Sequence, residues 1–397
     1  MGGKALVARR VVIVSRIFAP EVSAAAGILR SWARAFRDAG AIVTVITTKP
    51  PRGMSIADPS GIRVRRAPVH RDRQDYVRGY VSYLSFDVPL FFRLLFAHRA
   101  ELYVVEPPPT TVAVVRIVGW LRRTPYVVRA ADLWSDAAAM ATQSAFVLRS
   151  LRCVEVWGLS GAQRLFAAHE PLVARFREVG INAPAIPIGF GADMDAFRYE
   201  PRSRPLAPVF VYAGTHSEWH GAGVFIEAFA GLLPRYPGAR LHFIGNGQER
   251  EILRARAIEL GLGDAVDFRP PIPPAELAPI LSGATASLAS LKPGQGYDYA
   301  FTTKVYSSLA SGCPVIFAGV GPTGPFLRSA TSPDVGEAVD YEVSAVAAAM
   351  ERAIALSPEP DARSRLSAWT REHYSLNAIA DTVVAESLAI TARRLFR

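Results

Sequence analysis

Lys304 stands where a chain can hold an anion. The stretch 297–319, YDYAFTTKVYSSLASGCPVIFAG, reads as a loop, a short helix and a buried strand. Val305, Leu309 and Ala310 recur on one helical face, Thr302 or Thr303 can cap its start, and Gly312 marks its end before the strand 315–318. Free N–H groups and the helix dipole favour negative charge at such a start, and Lys304 adds a full cation. The anion this chemistry favours is a phosphate. A second candidate is Asp132, at the end of the apolar run 125–128 in RAADLWSD. A carboxylate at a strand end can accept hydrogen bonds from hydroxyl groups, and Trp134 offers a flat apolar face on which a pyranose can stack. Gly245-Asn246-Gly247 is a tight-turn signal. His169 can reach a ligand from another strand end or sit as a satisfied surface histidine, and Asp136 can be no more than a helix cap.

Such groups need rigid elements behind them. The run 11–15 is a short buried-type strand, followed by a loop 16–26 with Pro20 and Glu21, a helix carrying Leu29, Trp32, Ala33 and Phe36, and a strand 42–47. This opening predicts the first unit of a doubly wound domain, where ligands bind at the carboxyl ends of the strands. Further strands are predicted at 62–68, 102–105 and 164–168. The pattern starts again at 209–213 and continues through 240–244, 266–269, 286–289 and 315–318. A proline-rich linker lies between. The fold class predicted is therefore α/β, with two Rossmann-like doubly wound domains. Their bounds are 1–198, a linker 199–208, 209–375, and a final helix within 376–397.

The segment 71–99 stands apart. It mixes seven tyrosines and phenylalanines with Arg71, Arg73, Arg78, Arg93 and Arg99. Either its aromatics are the core face of two helices broken at Pro89, or it meets a membrane interface or a lipid-linked molecule.

Composition narrows the classes. The chain has 397 residues, room for two ordinary domains, and 50% hydrophobic residues to fill two cores. Cys153 and Cys313, the two cysteines, argue against a disulfide framework and for a reducing compartment. Arg16 interrupts the first apolar run, which reads as a strand and not as a signal peptide, and no run of apolar residues is long enough to span a membrane. The net charge of +10 rests on 41 arginines and four lysines and favours anionic partners. Without zinc-finger spacing, an RNA-binding aromatic signature or a dense basic tract, nucleic acid is not among those expected.

Several stretches together resemble the GT-B glycosyltransferases of family 4, retaining enzymes that take a sugar from a nucleotide diphosphate donor. They are SRIFAPEVSAAAGILRSWARAFRDAGAIVTVIT at 15–47, RAADLWSD at 129–136, IPIGFGADMDAF at 186–197, IGNGQE at 244–249 and SLASGCPVI at 308–316. The Asp-Leu-Trp is similar to that of a polysaccharide-assembly subgroup. The resemblance implies two domains facing each other across a cleft, with the last helix crossing back to the first. It implies a donor set of Gly27, Gly214, Thr215, His216, Gly245, Gly247, Pro270, Ile272, Thr303, Ser307 and Ser308, the nucleobase lying against the loop 269–272. Asp132, Lys304 and His220 take the catalytic roles; Glu21, Trp134, Arg78 and Arg93 fall on the acceptor side. The chain departs from the pattern at four donor contacts. Tyr299 and Ser307 stand at its two carboxylate positions, and Thr215 and His220 at its Arg and Lys, leaving His216, His220, Lys304 and the helix start near Gly223 for the diphosphate.

The function this implies is metal-independent, cofactor-free, retaining hexosyl transfer. A UDP- or GDP-linked sugar would go to a lipid-linked or glycan acceptor in cell-surface polysaccharide or glycolipid assembly. The setting expected is bacterial and cytoplasmic, with peripheral contact at the inner face of an anionic membrane. Two alternatives stay open: transfer to a soluble small-molecule acceptor, and a non-catalytic homologue acting as partner subunit or sugar-nucleotide binder.

Overall fold

In a computed structural model the described residues are 9–21, 24–51, 58–71, 77, 79–141, 144–201, 207–295, 298–330, 335–356 and 359–395. They divide into two units, one running to Gly189 and resuming at Leu376, the other Phe190–Ser375.

The first unit runs β1 (Arg10–Val14), α1 (Ala24–Asp38), β2 (Ile42–Thr48), β3 (Arg63–Ala67), α2 (Gly79–Leu95), β4 (Leu102–Val105), α3 (Pro109–Arg122), β5 (Tyr126–Ala130), α4 (Trp134–Ala141), α5 (Ala145–Ser160), β6 (Arg164–Ala167), α6 (Glu170–Glu178) and β7 (Ala185–Pro187). Its strands pair in the order β3-β2-β1-β4-β5-β6-β7, all parallel. β1, β4 and β5 are apolar over nearly their whole length because helices cover both faces. Trp32 of α1, fully buried, meets Phe166 of β6 edge-on at 5.7 Å.

The second unit runs β8 (Val209–Ala213), α7 (Gly223–Leu232), β9 (Arg240–Ile244), α8 (Arg250–Glu259), β10 (Val266–Arg269), α9 (Pro274–Gly283), β11 (Ala286–Leu291), α10 (Lys304–Ala310), β12 (Val315–Gly319), α11 (Thr323–Ser329), β13 (Gly336–Val339), α12 (Val343–Leu356) and α13 (Pro360–Tyr374). The strand order is β10-β9-β8-β11-β12-β13, again all parallel. The last helix, α14 (Leu376–Leu395), belongs to the first unit, where it packs on α1. In each sheet the winding reverses once, beside β1 and β4 in the first and beside β8 and β11 in the second. Those reversals open crevices at the strands' carboxyl ends.

Several expectations change. Segment 190–198 goes with the second unit, not the first, because Ala192, Met194 and Phe197 pack with Val211, Ile244 and Tyr306. Pro89 does not break its helix: α2 runs through it, buries Phe86, Leu90 and Leu94, and turns Val88 and Phe92 outward. Neither Thr302 nor Thr303 caps α10 through its side chain. Thr303 has the cap position without a side-chain bond, and the Thr302 N–H donates to Thr323 Oγ1 at 2.9 Å, tying the helix start to α11. His169 is a buried cap, its ring accepting from the Leu172 N–H at 3.2 Å, not a surface side chain.

Candidate functional site

In the second unit, β8 ends at Ala213 and the chain turns at Gly214 toward His216 and His220. Lys304, first residue of α10, sends its side chain to that turn. Its Nζ lies 3.8 Å from the centre of the Tyr212 ring, and a Cβ on Gly214 would stand 2.9 Å from its Cε. The nitrogen is shut off from solvent and has no hydrogen-bond partner among the described residues. Burial pulls its pKa down to about 7.

His216 is fully buried with both ring nitrogens unpartnered among the described residues. Its pKa falls to about 4, through burial first, then the charges of Lys304 and Arg250. His220 Nδ1 is 2.5 Å from Ser217 Oγ, and burial, helped by Lys304 and His216, takes its pKa to about 3. At neutral pH both rings are uncharged, and the Lys304 amine is half discharged. A buried cation without a counter-ion is a costly arrangement, and an incoming anion relieves it.

Gly245 and Gly247 hold this cluster in shape. A Cβ on Gly245 would stand 2.0 Å from the Gly214 carbonyl oxygen, and one on Gly247 2.1 Å from that of His216. The two loops close over each other, with the His216 N–H donating to Asn246 O at 3.0 Å and the Glu249 N–H to His216 O at 3.1 Å. The Gly-x-Gly turn is thus first a packing device that fixes His216.

Of the remaining donor candidates, Thr215 is exposed and its carbonyl accepts from Tyr212 Oη at 3.0 Å. Pro270 and Thr303 are exposed, and Ile272 packs against the cluster around Ala278 and Leu281. Ser307 is half-buried on α10. Ser308 does not face a ligand: its hydroxyl is buried between Ser287 Oγ at 2.8 Å and the Lys304 carbonyl at 3.0 Å. Gly27 lies inside α1, not in the preceding loop, and a Cβ there would meet nothing within 4 Å.

In the first unit three polar side chains stand just past the ends of adjacent strands: Arg16 after β1, Glu106 after β4 and Asp132 after β5. Burial raises the pKa of Asp132, against the pull of Arg129. Glu106 is raised by burial too, although Arg129 Nη1 donates to it at 2.7 Å, and Asp132 adds to the rise. Arg16 is 4% exposed, with its guanidinium 3.9 Å from the centre of the Tyr83 ring and 5.6 Å from that of Trp134. Its Nε and Nη1 have no hydrogen-bond partner among the described residues. Trp134, edge-on to Tyr83 at 6.0 Å, opens α4, whose first N–H groups are received by the buried carboxylate of Glu155. The arrangement can orient a hydroxyl-rich or anionic molecule, and burial makes each of the two carboxyl groups hold its proton more tightly than an exposed one does.

Arg16, Glu106 and Arg129 were not singled out by sequence reasoning. The signal was present, since Arg16 and Glu106 each end an apolar strand as Asp132 does, but Glu106 reads as the head of a rigid Pro-rich loop and Arg16 as a break in a run. Glu21 is spent on Arg71 at 2.8 Å, which also bonds Thr48, and Arg93 donates to the Arg65 carbonyl at 3.1 Å. Arg78 lies outside the described residues.

Two family models match this chain, one in each half. Residues 24–189 match the glycosyl transferase 4-like domain, and residues 207–355 match the glycosyl transferases group 1. The chain belongs to the family 4/1 glycosyltransferases. Among curated relatives, the D-inositol 3-phosphate glycosyltransferase of Acidothermus cellulolyticus is 31% identical over 133 residues, 31% of this glycosyltransferase and 29% of that protein. The chain spans about a third of the length of the curated relatives it matches. Among solved structures, sucrose-phosphate synthase from Thermosynechococcus elongatus superposes with a TM-score of 0.73 at 20% identity, covering 98% of this chain and 99% of that one. HepE of Anabaena, in complex with UDP-glucose, gives 0.68 at 16% identity over 96% and 99%. These likenesses make the fold GT-B.

Proposed function

We propose that this glycosyltransferase moves a sugar from a nucleoside diphosphate donor to a hydroxyl of a lipid-linked or glycan acceptor, with retention at the anomeric carbon. The observation that carries the reading is the Lys304 amine, buried without a hydrogen-bond partner among the described residues, beside the Gly214 turn and two uncharged histidines. A diphosphate there would give Lys304 its counter-ion and accept hydrogen bonds from the rings. In the transfer, the bond from the anomeric carbon to the diphosphate oxygen breaks as the bond to the acceptor oxygen forms. The acceptor proton passes to the departing diphosphate, whose growing charge Lys304 offsets. Asp132, with Glu106 and Arg129 behind it, orients hydroxyl groups on the side of the first unit. The UDP-glucose held by HepE favours a uridine donor.

Calorimetric titration with UDP- and GDP-sugars tests this reading. Lys304→Met should weaken donor binding at least about tenfold, the loss of one charge-assisted contact. Asp132→Asn should leave donor affinity unchanged and lower turnover by about a hundredfold. Undiminished donor binding by the Lys304 variant would remove the amine from the site. A second reading, a binder without turnover, is favoured by Tyr299 and Ser307 standing where the family pattern has carboxylates; donor binding with neither transfer nor donor hydrolysis would establish it.

A further inference from the structure

The outer layer of the first unit carries a feature that sugar transfer does not use. α2, α3 and α5 lie side by side: Arg122 of α3 donates to the Leu95 and Ala97 carbonyls at the end of α2, and Gly158 of α5 packs on Val112 of α3. Arg116 of α3 stands 4.4 Å over the Trp157 ring of α5. A helix on the outside of a domain ordinarily turns polar residues outward, and each of these turns large apolar side chains outward as well. On α2 the outward positions recur at helical spacing, with Val88 and Phe92 about half exposed, and Phe96, just past the helix end, is 79% exposed. α3 adds Trp120 at 78%, and α5 adds Phe146 at 81% and Trp157.

The charges on the same helices are one-sided. Across 79–99, 109–123 and 144–160 the only acids are Asp87 and Glu155, each 2% exposed. Asp87 accepts from Thr111 at 2.6 Å and Glu155 from the start of α4, so neither offers charge outward. What remains exposed is basic: Arg99, Arg123 and Arg149. No helix among the described residues is long and apolar enough to cross a membrane.

We propose that the face formed by α2, α3 and α5 lies on the surface of an anionic lipid bilayer. Aromatic and aliphatic side chains enter the headgroup region while the arginines meet lipid phosphates. The choice of lipid over protein rests on the charge pattern. A layer of three helices whose exposed charges are arginines without acids complements the continuous negative surface of an anionic bilayer, where each basic side chain near the phosphates adds to binding. The proposal is independent of the donor reading.

The test is co-sedimentation of the full chain with extruded vesicles, either phosphatidylcholine alone or phosphatidylcholine with about a third phosphatidylglycerol, at about 0.1 M and about 0.5 M salt. The expected result is binding to the anionic vesicles that weakens at the higher salt. Two variants separate the contributions: Phe96→Ser with Trp120→Ser and Phe146→Ser, and Arg99→Ser with Arg123→Ser and Arg149→Ser. Each should lower the partition coefficient by more than about tenfold, with thermal midpoints and donor titration unchanged. Wild-type protein that ignores anionic vesicles, or an aromatic variant that binds them as well as wild type, overturns the proposal. So does a wild-type dimer in sedimentation velocity that the aromatic variant dissolves, which would give the face to a second copy of the chain.

Discussion

A lysine whose amine loses its proton near neutrality makes ligand binding a proton-linked event. If a diphosphate pairs with Lys304, the bound amine regains its ordinary pKa, so binding takes up a proton wherever the free amine was neutral. With a free value of about 7, uptake should approach one proton at pH 8 and vanish near pH 6, and affinity should fall as the pH rises above 7. Titration in two buffers of different ionisation enthalpy reads this directly; equal heats at pH 8 would contradict it. The same depression governs unliganded stability. Between about 7 and the ordinary lysine value of about 10.4 the unfolded chain binds more protons at this position than the folded one, so stability rises with pH across that window. Lys304→Met should therefore melt higher than wild type at pH 6, with the gap closing toward pH 10. A gap independent of pH would mean the amine is not buried as charge. That Lys304 heads a helix was legible from periodicity and Gly312. That it folds back over Tyr212 was not, because the contact joins residues 92 positions apart through a glycine left bare for it.

Periodicity served the elements well wherever one strand and one helix alternate. It served poorly in 134–160, where α4 and α5 follow one another without a strand and the outward face of α5 mixes Phe146 and Trp157 with Arg149 and Ser150, which blurs the amphipathic contrast a reader relies on. Pro89 misled for a related reason: burial of Phe86, Leu90 and Leu94 keeps α2 continuous despite the missing donor. At this scale the Gly214 and Gly245 loops make the sharpest prediction. Gly245→Ala puts a methyl group 2.0 Å from a carbonyl oxygen that has no room to retreat. It should cost about 2–4 kcal/mol in denaturant unfolding of the second unit and disorder His216. An unchanged midpoint would show the loops to be looser than they stand here.

For the whole molecule, the division of the chain matters more than its boundary residue. α14 buries Ile379, Ala380, Val383 and Val384, receives a hydrogen bond from Ser31 of α1 on the Leu376 carbonyl at 3.2 Å, and takes Arg9 on the Leu388 carbonyl. Removing 376–397 should abolish the cooperative melting of the first unit and leave that of the second in place. Differential scanning calorimetry of the truncated chain checks it, and two intact transitions would refute it. The return of the last helix was legible only through family resemblance, since nothing local in 376–395 says which sheet it serves.

That helix also sets an order of events. A ribosome delivers the second unit as one uninterrupted piece, residues 190–375, and only afterwards the segment that closes the first. The half made earlier therefore waits, its α1 surface bare, while the half made later completes itself. During that interval the nascent chain is a complete second unit tethered to a first unit that still lacks α14, and the cell's chaperones would meet the protein in that form.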